Sequence, residues 1–144
     1  MTPADVVTAY ACTLDARDWA GFRALFTDTI DLDYGAIGSI VGPIAADAWT
    51  ERCGLLGHFD ATRHRLSNIR VTINGERARV DSYIDAVHFI DGAAGDLSGS
   101  YVHELVRDGE RWRIAKVTLD VAGYPLGAAA FAAVFAAARD RQSG

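Results

Sequence analysis

The chain has 144 residues, of which 50% are hydrophobic, and its 19 acidic and 14 basic side chains give a formal charge of −5. A chain of this length and composition can bury one sizeable core, so we expect residues 1–144 to form a single domain. Lysine and arginine form no cluster along the sequence, which argues against a nucleic-acid-binding surface. A small-molecule partner fits this composition better.

The sequence also gives an expectation about the cell compartment. The first residues contain no basic segment followed by an apolar run, and no apolar stretch is long enough to cross a bilayer. Two cysteines, Cys12 and Cys53, lie in helical patterns without the spacing of a disulfide framework. We expect both to be buried thiols in a reducing compartment. These features predict a soluble cytoplasmic protein without membrane contact.

Helical patterns dominate the first third of the chain. A first helix is predicted to begin at Thr2, because threonine is a good N-cap residue and the following proline suits a first turn. The stretch DARDW ends it, a short second helix follows, and a third helix is predicted over residues 43–59. The apolar stripe of the first helix contains Val6, Val7, Tyr10 and Leu14. That of the second helix contains Trp19, Phe22, Leu25 and Phe26.

Strand patterns occupy the rest of the chain up to a final helix. Ile30, Leu32 and Tyr34 alternate with two aspartates, which predicts a half-buried strand. Two long alternating pairs follow, joined at Asn74-Gly75 and at Asp108-Gly109, and both dipeptides favour tight hairpin turns. The fold class is therefore α+β, with helices packed on a curved, mostly antiparallel sheet. The Ala-rich C-terminal segment is predicted to be a helix with Phe131, Val134 and Phe135 on one side.

His88 and Tyr34 are candidate cavity residues on these strands. His88 follows Val80, Ile84 and Ala86 at even spacing, so it should point into the same interior. A buried imidazole needs a partner for each ring nitrogen, which a binding cavity or a backbone carbonyl could supply. Tyr34 ends a strand, where its hydroxyl could reach either a cavity or water.

Asp15 and His64 are harder to place from pattern alone. A carboxylate near the C-terminal end of a helix gains nothing from the helix dipole, so pattern alone favours a solvated loop residue at Asp15. Simple alternation puts His64 on the face opposite to Ile69, Val71 and Ile73. A bulge near Ser67-Asn68 would return the imidazole to the inner face.

Several kinds of functional site have no support in the sequence. The four histidines show neither HxH nor HExxH spacing, so we expect no metal site. No glycine-rich nucleotide-binding motif or GxSxG motif occurs, so we expect no cofactor and no serine nucleophile.

The order of elements resembles a known superfamily. The stretches YACTLDARDWAGFRALFTDTIDLDY, TRHRLSNIRV and RDGERWRIAKVTLDV are similar to the SnoaL-like branch of the nuclear transport factor 2-like superfamily, and the resemblance covers nearly the whole chain. It implies a cystatin-like cone, in which N-terminal helices and a C-terminal helix pack on a strongly curved sheet.

Within that superfamily the chain most resembles the scytalone dehydratase and hexachlorocyclohexane dehydrochlorinase families. The resemblance implies that Asp15 orients His64, which removes a substrate proton. It also implies that Tyr34 polarises a carbonyl and that His88 holds or protonates the departing oxygen. The sequence departs from the scytalone dehydratase pattern at Leu14, where that family has a second tyrosine beside the aspartate.

These observations predict a cofactor-independent lyase of dehydratase type, acting on a small and mainly apolar cyclic substrate. A ketosteroid-isomerase-like isomerase or polyketide cyclase is an alternative, and would need Asp85 or Asp120 to face inward. A ligand-binding module without catalysis is a further alternative. We also expect a homo-oligomer, dimer or trimer, because an open sheet exposes a face that must be covered. The predicted substrate-binding residues are Trp19, Phe22, Trp49, Leu55, Phe59 and Phe131.

Overall fold

The computed structural model describes residues 1–144. The helices are α1 (Pro3–Ala16), α2 (Trp19–Arg23), α3 (Ala46–Cys53) and α4 (Ala128–Ser143). The strands are β1 (Phe26–Asp33), β2 (Val41–Ala45), β3 (Ala61–Asn74), β4 (Arg77–Ile90), β5 (Ala93–Asp108) and β6 (Arg111–Gly123). Two short 3-10 turns cover Gly35–Ile37 and Gly54–His58.

All six strands belong to one sheet, in the order β2-β1-β6-β5-β4-β3. The β1–β6 pair is parallel and the other pairs are antiparallel. Helices pack on the inner face of this sheet, which confirms the α+β class and the cystatin-like cone predicted from the sequence. None of the four helices combines the length and the apolarity that a membrane span requires.

Helix α1 begins and ends where local chemistry directs it. The Thr2 side chain accepts a hydrogen bond from the Asp5 amide, and the Asp5 carboxylate accepts one from the Thr2 amide, so the two form a capping box. Arg17 ends the helix in the left-handed conformation with φ 57°, and its guanidinium donates to the Phe59 carbonyl. Asp15, in the last turn of α1, therefore lies next to the start of β3.

Several boundaries differ from the prediction. The second helix ends at Arg23, and Phe26 already pairs with β6 as the first residue of β1. The third helix begins at Ala46, because Pro43–Ala45 pair with β1 as an edge strand. Proline is tolerated there, since an edge strand can leave one side unpaired.

The prediction that both cysteines are buried is wrong for Cys12. Cys53 is buried among the core side chains, whereas Cys12 is exposed on the outer side of α1. The sequence reasoning also missed a third hairpin turn at Asp91-Gly92, where φ values of 52° and 77° produce a tight turn between β4 and β5. Strand β5 consequently begins at Ala93 and is longer than predicted.

A bulge in β3 decides which way His64 points. The β3–β4 register shifts between Ser67 and Arg70, and Asn68 lies in the left-handed region with φ 52°. His64 pairs with Ala86 before the bulge and Val71 pairs with Val80 after it. Since paired residues share a face, His64 lies on the inner face despite its parity.

Gly95 lets α4 lie directly against β5. A Cβ placed at Gly95 would be 2.6 Å from Val134 Cγ2 and 2.8 Å from the Ala130 carbonyl oxygen. Gly95→Ala should therefore lower the free energy of unfolding by about 1–3 kcal/mol, as overpacking does, when measured by urea denaturation. Gly123→Ala is the matched control, because a Cβ at Gly123 meets no atom within 4 Å. Equal effects of the two substitutions would contradict this packing.

Candidate functional site

A cavity of about 1030 Å³ opens between the helices and the inner face of the sheet. This volume is at the upper end of what small-molecule sites offer, and nineteen of its 27 lining residues are hydrophobic. Among the lining residues with buried side chains are two histidines and three tyrosines, namely His64, His88, Tyr10, Tyr34 and Tyr101.

Asp15 and His64 meet behind one wall of this cavity. His64 Nδ1 lies 2.7 Å from Asp15 Oδ1, and the His64 backbone amide donates to Asp15 Oδ2 at 2.9 Å. The carboxylate therefore accepts the Nδ1 proton, which leaves the lone pair on Nε2. The His64 side chain is only 7% exposed and lines the cavity, so its Nε2 lone pair is available to a ligand bound there.

Thr62 completes the surroundings of the carboxylate. Its hydroxyl, on a 3% exposed residue, donates to Asp15 Oδ1 at 3.0 Å. Burial alone would raise the pKa of Asp15, but the hydrogen bonds from His64 and Thr62 outweigh it and lower the pKa. Asp15 therefore remains ionised and can stabilise a positive charge on the imidazole.

His88 is buried beside His64 and stays neutral. Its Nδ1 donates to the Gly95 carbonyl at 3.1 Å, so its Nε2 is an acceptor. The ring centroids of the two histidines are 5.9 Å apart. Burial, with the neighbouring charge of His64, lowers the pKa of His88 to about 4. The two alternatives in the sequence analysis thus both apply, because His88 is bonded to the backbone and also lines the cavity.

Three tyrosines meet on another part of the cavity wall. The hydroxyls of Tyr10 from α1 and Tyr34 from the end of β1 are hydrogen-bonded to each other. The Tyr101 ring packs edge-on against Tyr10, with centroids 5.7 Å apart. Burial raises the pKa of Tyr10 and Tyr34 well above the usual value and raises that of Tyr101 to about 12. All three phenols therefore remain protonated and can donate hydrogen bonds.

His103 supports this tyrosine cluster from the core side. The residue is fully buried, and neither ring nitrogen has a hydrogen-bond partner in the protein. Its ring lies 4.9 Å from the Tyr10 centroid and 5.0 Å from the Tyr101 centroid. Burial lowers the pKa of His103 to about 3, so it packs as a neutral aromatic ring and holds the two phenols in place.

The predicted binding residues divide into two groups. Trp49, Leu55 and Phe131 line the cavity, so their predicted role in substrate binding stays a prediction. Trp19, Phe22 and Phe59 do not, and this part of the prediction is corrected: Trp19 packs on the core, Phe22 is fully buried within it, and Phe59 lies behind His88 with centroids 5.2 Å apart. An apolar pattern marks the inner face, but it does not separate core from cavity.

The sequence reasoning missed Tyr10, Tyr101 and Thr62 as site residues. Tyr10 precedes Leu14 by one helical turn, so it lies on the same face of α1 and, like Leu14, lines the cavity. Tyr101 shares the inward parity of Leu105, and Thr62 that of His64. The shared face was the signal that could have identified Tyr10 and Tyr101, whereas Thr62 has the parity that simple alternation assigns to the opposite face.

Asp85 and Asp120 do not line the cavity. Asp85 pairs with Arg65 and Ser98, on the outer face of the sheet, and Asp120 is exposed opposite Ser100. A ketosteroid-isomerase-like arrangement therefore lacks its inward aspartate at these positions.

Comparison with known proteins places the chain among others of this architecture. A family model described as a SnoaL-like domain matches residues 4–118, and no curated protein matches. A protein from Kribbella flavida is 24% identical, with a TM-score of 0.78, over 84% of this chain and 88% of that one. A protein from Novosphingobium aromaticivorans, provisionally described as a scytalone dehydratase, is 24% identical with a TM-score of 0.74, over 84% and 82%.

A hexachlorocyclohexane dehydrochlorinase of type 2 is 14% identical, with a TM-score of 0.69, over 84% of this chain and 83% of that one. At these identities the likeness to solved structures establishes the fold alone.

The buried neutral histidines predict how stability depends on pH. His88 and His103 have folded pKa values of about 4 and about 3, below the ordinary value of 6.5, so the unfolded chain binds protons first as the pH falls. Stability is complete above pH 6.5 and decreases below it, by up to about 2 kcal/mol per histidine between pH 7 and pH 5. Urea denaturation at both pH values measures this loss. His103→Leu should reduce it, and an unchanged loss would contradict the assignment.

Proposed function

The chain belongs to the SnoaL-like domain family, and from that premise we propose that it is a cofactor-independent lyase that eliminates water from a small cyclic hydroxyketone. The observation that supports this most directly is the Asp15–His64 pair, 2.7 Å apart, with His64 on the cavity wall. An imidazole whose Nδ1 proton is held by a carboxylate presents Nε2 to the cavity and can act as a general base.

The first step is removal of a proton from the carbon next to the carbonyl. His64 Nε2 accepts the proton, and Asp15 stabilises the imidazolium that forms. The electron pair of the broken C–H bond moves to the carbonyl oxygen and gives an enolate. Electrostatic attraction between the Asp15 carboxylate and the His64 imidazolium is stronger in a low-dielectric cavity than in water. The negative enolate oxygen also needs a hydrogen-bond donor there, because little water is available to solvate it.

The tyrosine cluster supplies that donor. Tyr34 lines the cavity and its high pKa keeps the phenol protonated, so it can hydrogen-bond the carbonyl and, more strongly, the enolate. When Tyr34 donates its single proton to the ligand, its oxygen accepts a hydrogen bond from the Tyr10 hydroxyl. A network of phenols spreads the negative charge over more than one donor.

The second step is loss of the hydroxyl group. His88 is neutral near pH 7 and presents Nε2 as an acceptor, so it favours a leaving group with an O–H donor over a halide. The imidazolium of His64 returns its proton to the departing oxygen, and the enolate electrons form the new carbon–carbon double bond. The products are water and a conjugated ketone, and His64 is again neutral.

His64→Ala and Asp15→Asn should each lower kcat by about a hundred to ten thousand-fold, the usual contribution of a general base. Conjugated ketone formation can be followed by ultraviolet absorbance across a panel of cyclic hydroxyketones. His58→Ala is the control, because His58 does not line the cavity. Wild-type turnover in Asp15→Asn would overturn the proposed base. A panel that binds in the cavity but is never turned over by the wild type would favour a binding module.

Tyr34→Phe removes the proposed donor while keeping the ring that packs against Trp49 with centroids 5.2 Å apart. We expect kcat to fall by about a hundred-fold, as when one oxyanion donor is lost, with a smaller change in KM. Tyr83→Phe is the matched control, since Tyr83 is 49% exposed on the outer face of the sheet. A loss confined to KM would instead indicate that Tyr34 only binds the ground state.

A further inference from the structure

The cavity side of α4 changes from apolar to polar along the helix. Its inner part carries Phe131 and Phe135, whose rings lie 5.9 Å and 4.8 Å from the His88 centroid. Arg139 lines the same cavity and follows Phe135 by four residues. One helical turn is about 5.4 Å, so Arg139 lies one turn further from the histidines on the same face.

Helix α3 shows the same order on the other side of the cavity. Trp49 packs against Tyr34, and Arg52 follows it by three residues and also lines the cavity. On both walls an aromatic side chain touches a proposed catalytic residue, and an arginine lies about one turn beyond it. Both arginines are exposed, whereas the side chains of the two histidines and three tyrosines are buried, so the guanidinium groups lie at the solvent-facing end of the cavity.

Neither arginine is neutralised by a carboxylate of the protein. Arg52 donates only to the Ser39 hydroxyl, at 3.3 Å, and no ion pair involves Arg139. In contrast, Arg23 and Arg141 each contact two aspartates. Glu51 is the one acidic residue that lines the cavity, so these three side chains sum to one positive charge in a protein of charge −5.

We propose that Arg52 and Arg139 form a subsite for an oxyanion at the outer end of the ligand. The ligand is an aromatic or alicyclic ring with a carboxylate, or a sulfate or phosphate ester, on a short arm. Guanidinium groups bind all three anions through paired charge-assisted hydrogen bonds. The volume of about 1030 Å³ accommodates a ring and such an arm. Identification of this ligand as the substrate rests on the function proposed above, whereas the anion subsite itself does not.

Two probes of equal length test the subsite by binding alone. In 4-phenylbutyrate and 4-phenyl-1-butanol the same ring carries either a carboxylate or a neutral hydroxyl on the same arm. NMR titration of the wild type should give about tenfold tighter binding of the acid, the factor expected for one charge-assisted contact. Raising the salt concentration should reduce this preference. Equal affinities, or no binding of either probe, would overturn the proposal.

Substitutions then locate the preference. Arg52→Gln and Arg139→Gln should each reduce it, and the double variant should bind acid and alcohol equally. Arg111→Gln is the matched control, because Arg111 is exposed at the β5–β6 turn and does not line the cavity. A double variant that keeps the wild-type preference, or an equal loss in Arg111→Gln, would overturn the subsite. A comparison with 4-phenylbutyl phosphate and 4-phenylbutyl sulfate shows which oxyanion the subsite prefers.

The Asp15→Asn variant separates the two proposals. Its carboxamide leaves both arginines in place, so the preference for the acid should persist when turnover is lost. Persistence of the preference in a protein that never shows turnover would leave the subsite intact and remove only the lyase. Loss of the preference in Asp15→Asn, with the fold unchanged by circular dichroism, would count against a subsite that is independent of the base.

Discussion

The carboxylate of Asp15 is the interaction on which the rest of the site depends. It lies in the last turn of α1, where the helix dipole disfavours an anion by about 0.3–1 kcal/mol. Three donors offset this cost: the His64 amide, the His64 ring and the Thr62 hydroxyl. All three belong to β3, an edge strand of the sheet. One side chain therefore fixes the helix to the strand and also sets the tautomer of the imidazole.

The polar groups of the cavity divide into acceptors and donors. His64 and His88 direct their Nδ1 protons toward Asp15 and the Gly95 carbonyl, so each keeps an acceptor on Nε2. The phenols of Tyr10, Tyr34 and Tyr101 are held in the protonated form by burial. A ligand that satisfies both groups must offer a donor or acidic hydrogen at one place and an acceptor oxygen at another. An unmatched ligand would leave buried polar groups unpaired, which costs about 1–3 kcal/mol for each.

The sequence was sufficient for the fold class and for the two Gly-containing hairpin turns, because turn chemistry and alternation are local signals. It was also sufficient to place His88 inward, since no bulge interrupts β4 between Val80 and His88. The direction of His64 depended on whether a bulge forms near Ser67-Asn68. The sequence left this open, because the bulge arises from the pairing of β3 with β4. Tyr10 was assigned to an apolar stripe, and only the tertiary contact with Tyr34 reveals its polar role. Likewise, Phe22 and Trp49 look equivalent as aromatic residues until packing separates core from cavity.

The proposed base and the helix α4, which covers part of the cavity, come from different parts of the chain. Asp15, Thr62, His64 and the tyrosine cluster all lie within residues 4–118, the region that the SnoaL-like family model matches. Helix α4 follows this region, yet it supplies the aromatic contacts to His88 and the outer arginine.

Two contacts fix α4 over the cavity. Gly95 has no side chain, so α4 can lie directly against β5, and its carbonyl oxygen accepts the His88 Nδ1 proton. The same residue therefore fixes the position of α4 and the orientation of the His88 ring. Arg141 bonds the end of the helix to Asp60 and Asp91, next to the starts of β3 and β5. A chain that keeps the matched region and changes α4 would therefore retain the proposed proton-transfer groups while changing the shape and charge of the cavity next to them. In this architecture substrate selection can diverge through the last helix, while the Asp15–His64 pair stays under the constraint of the α1–β3 contact.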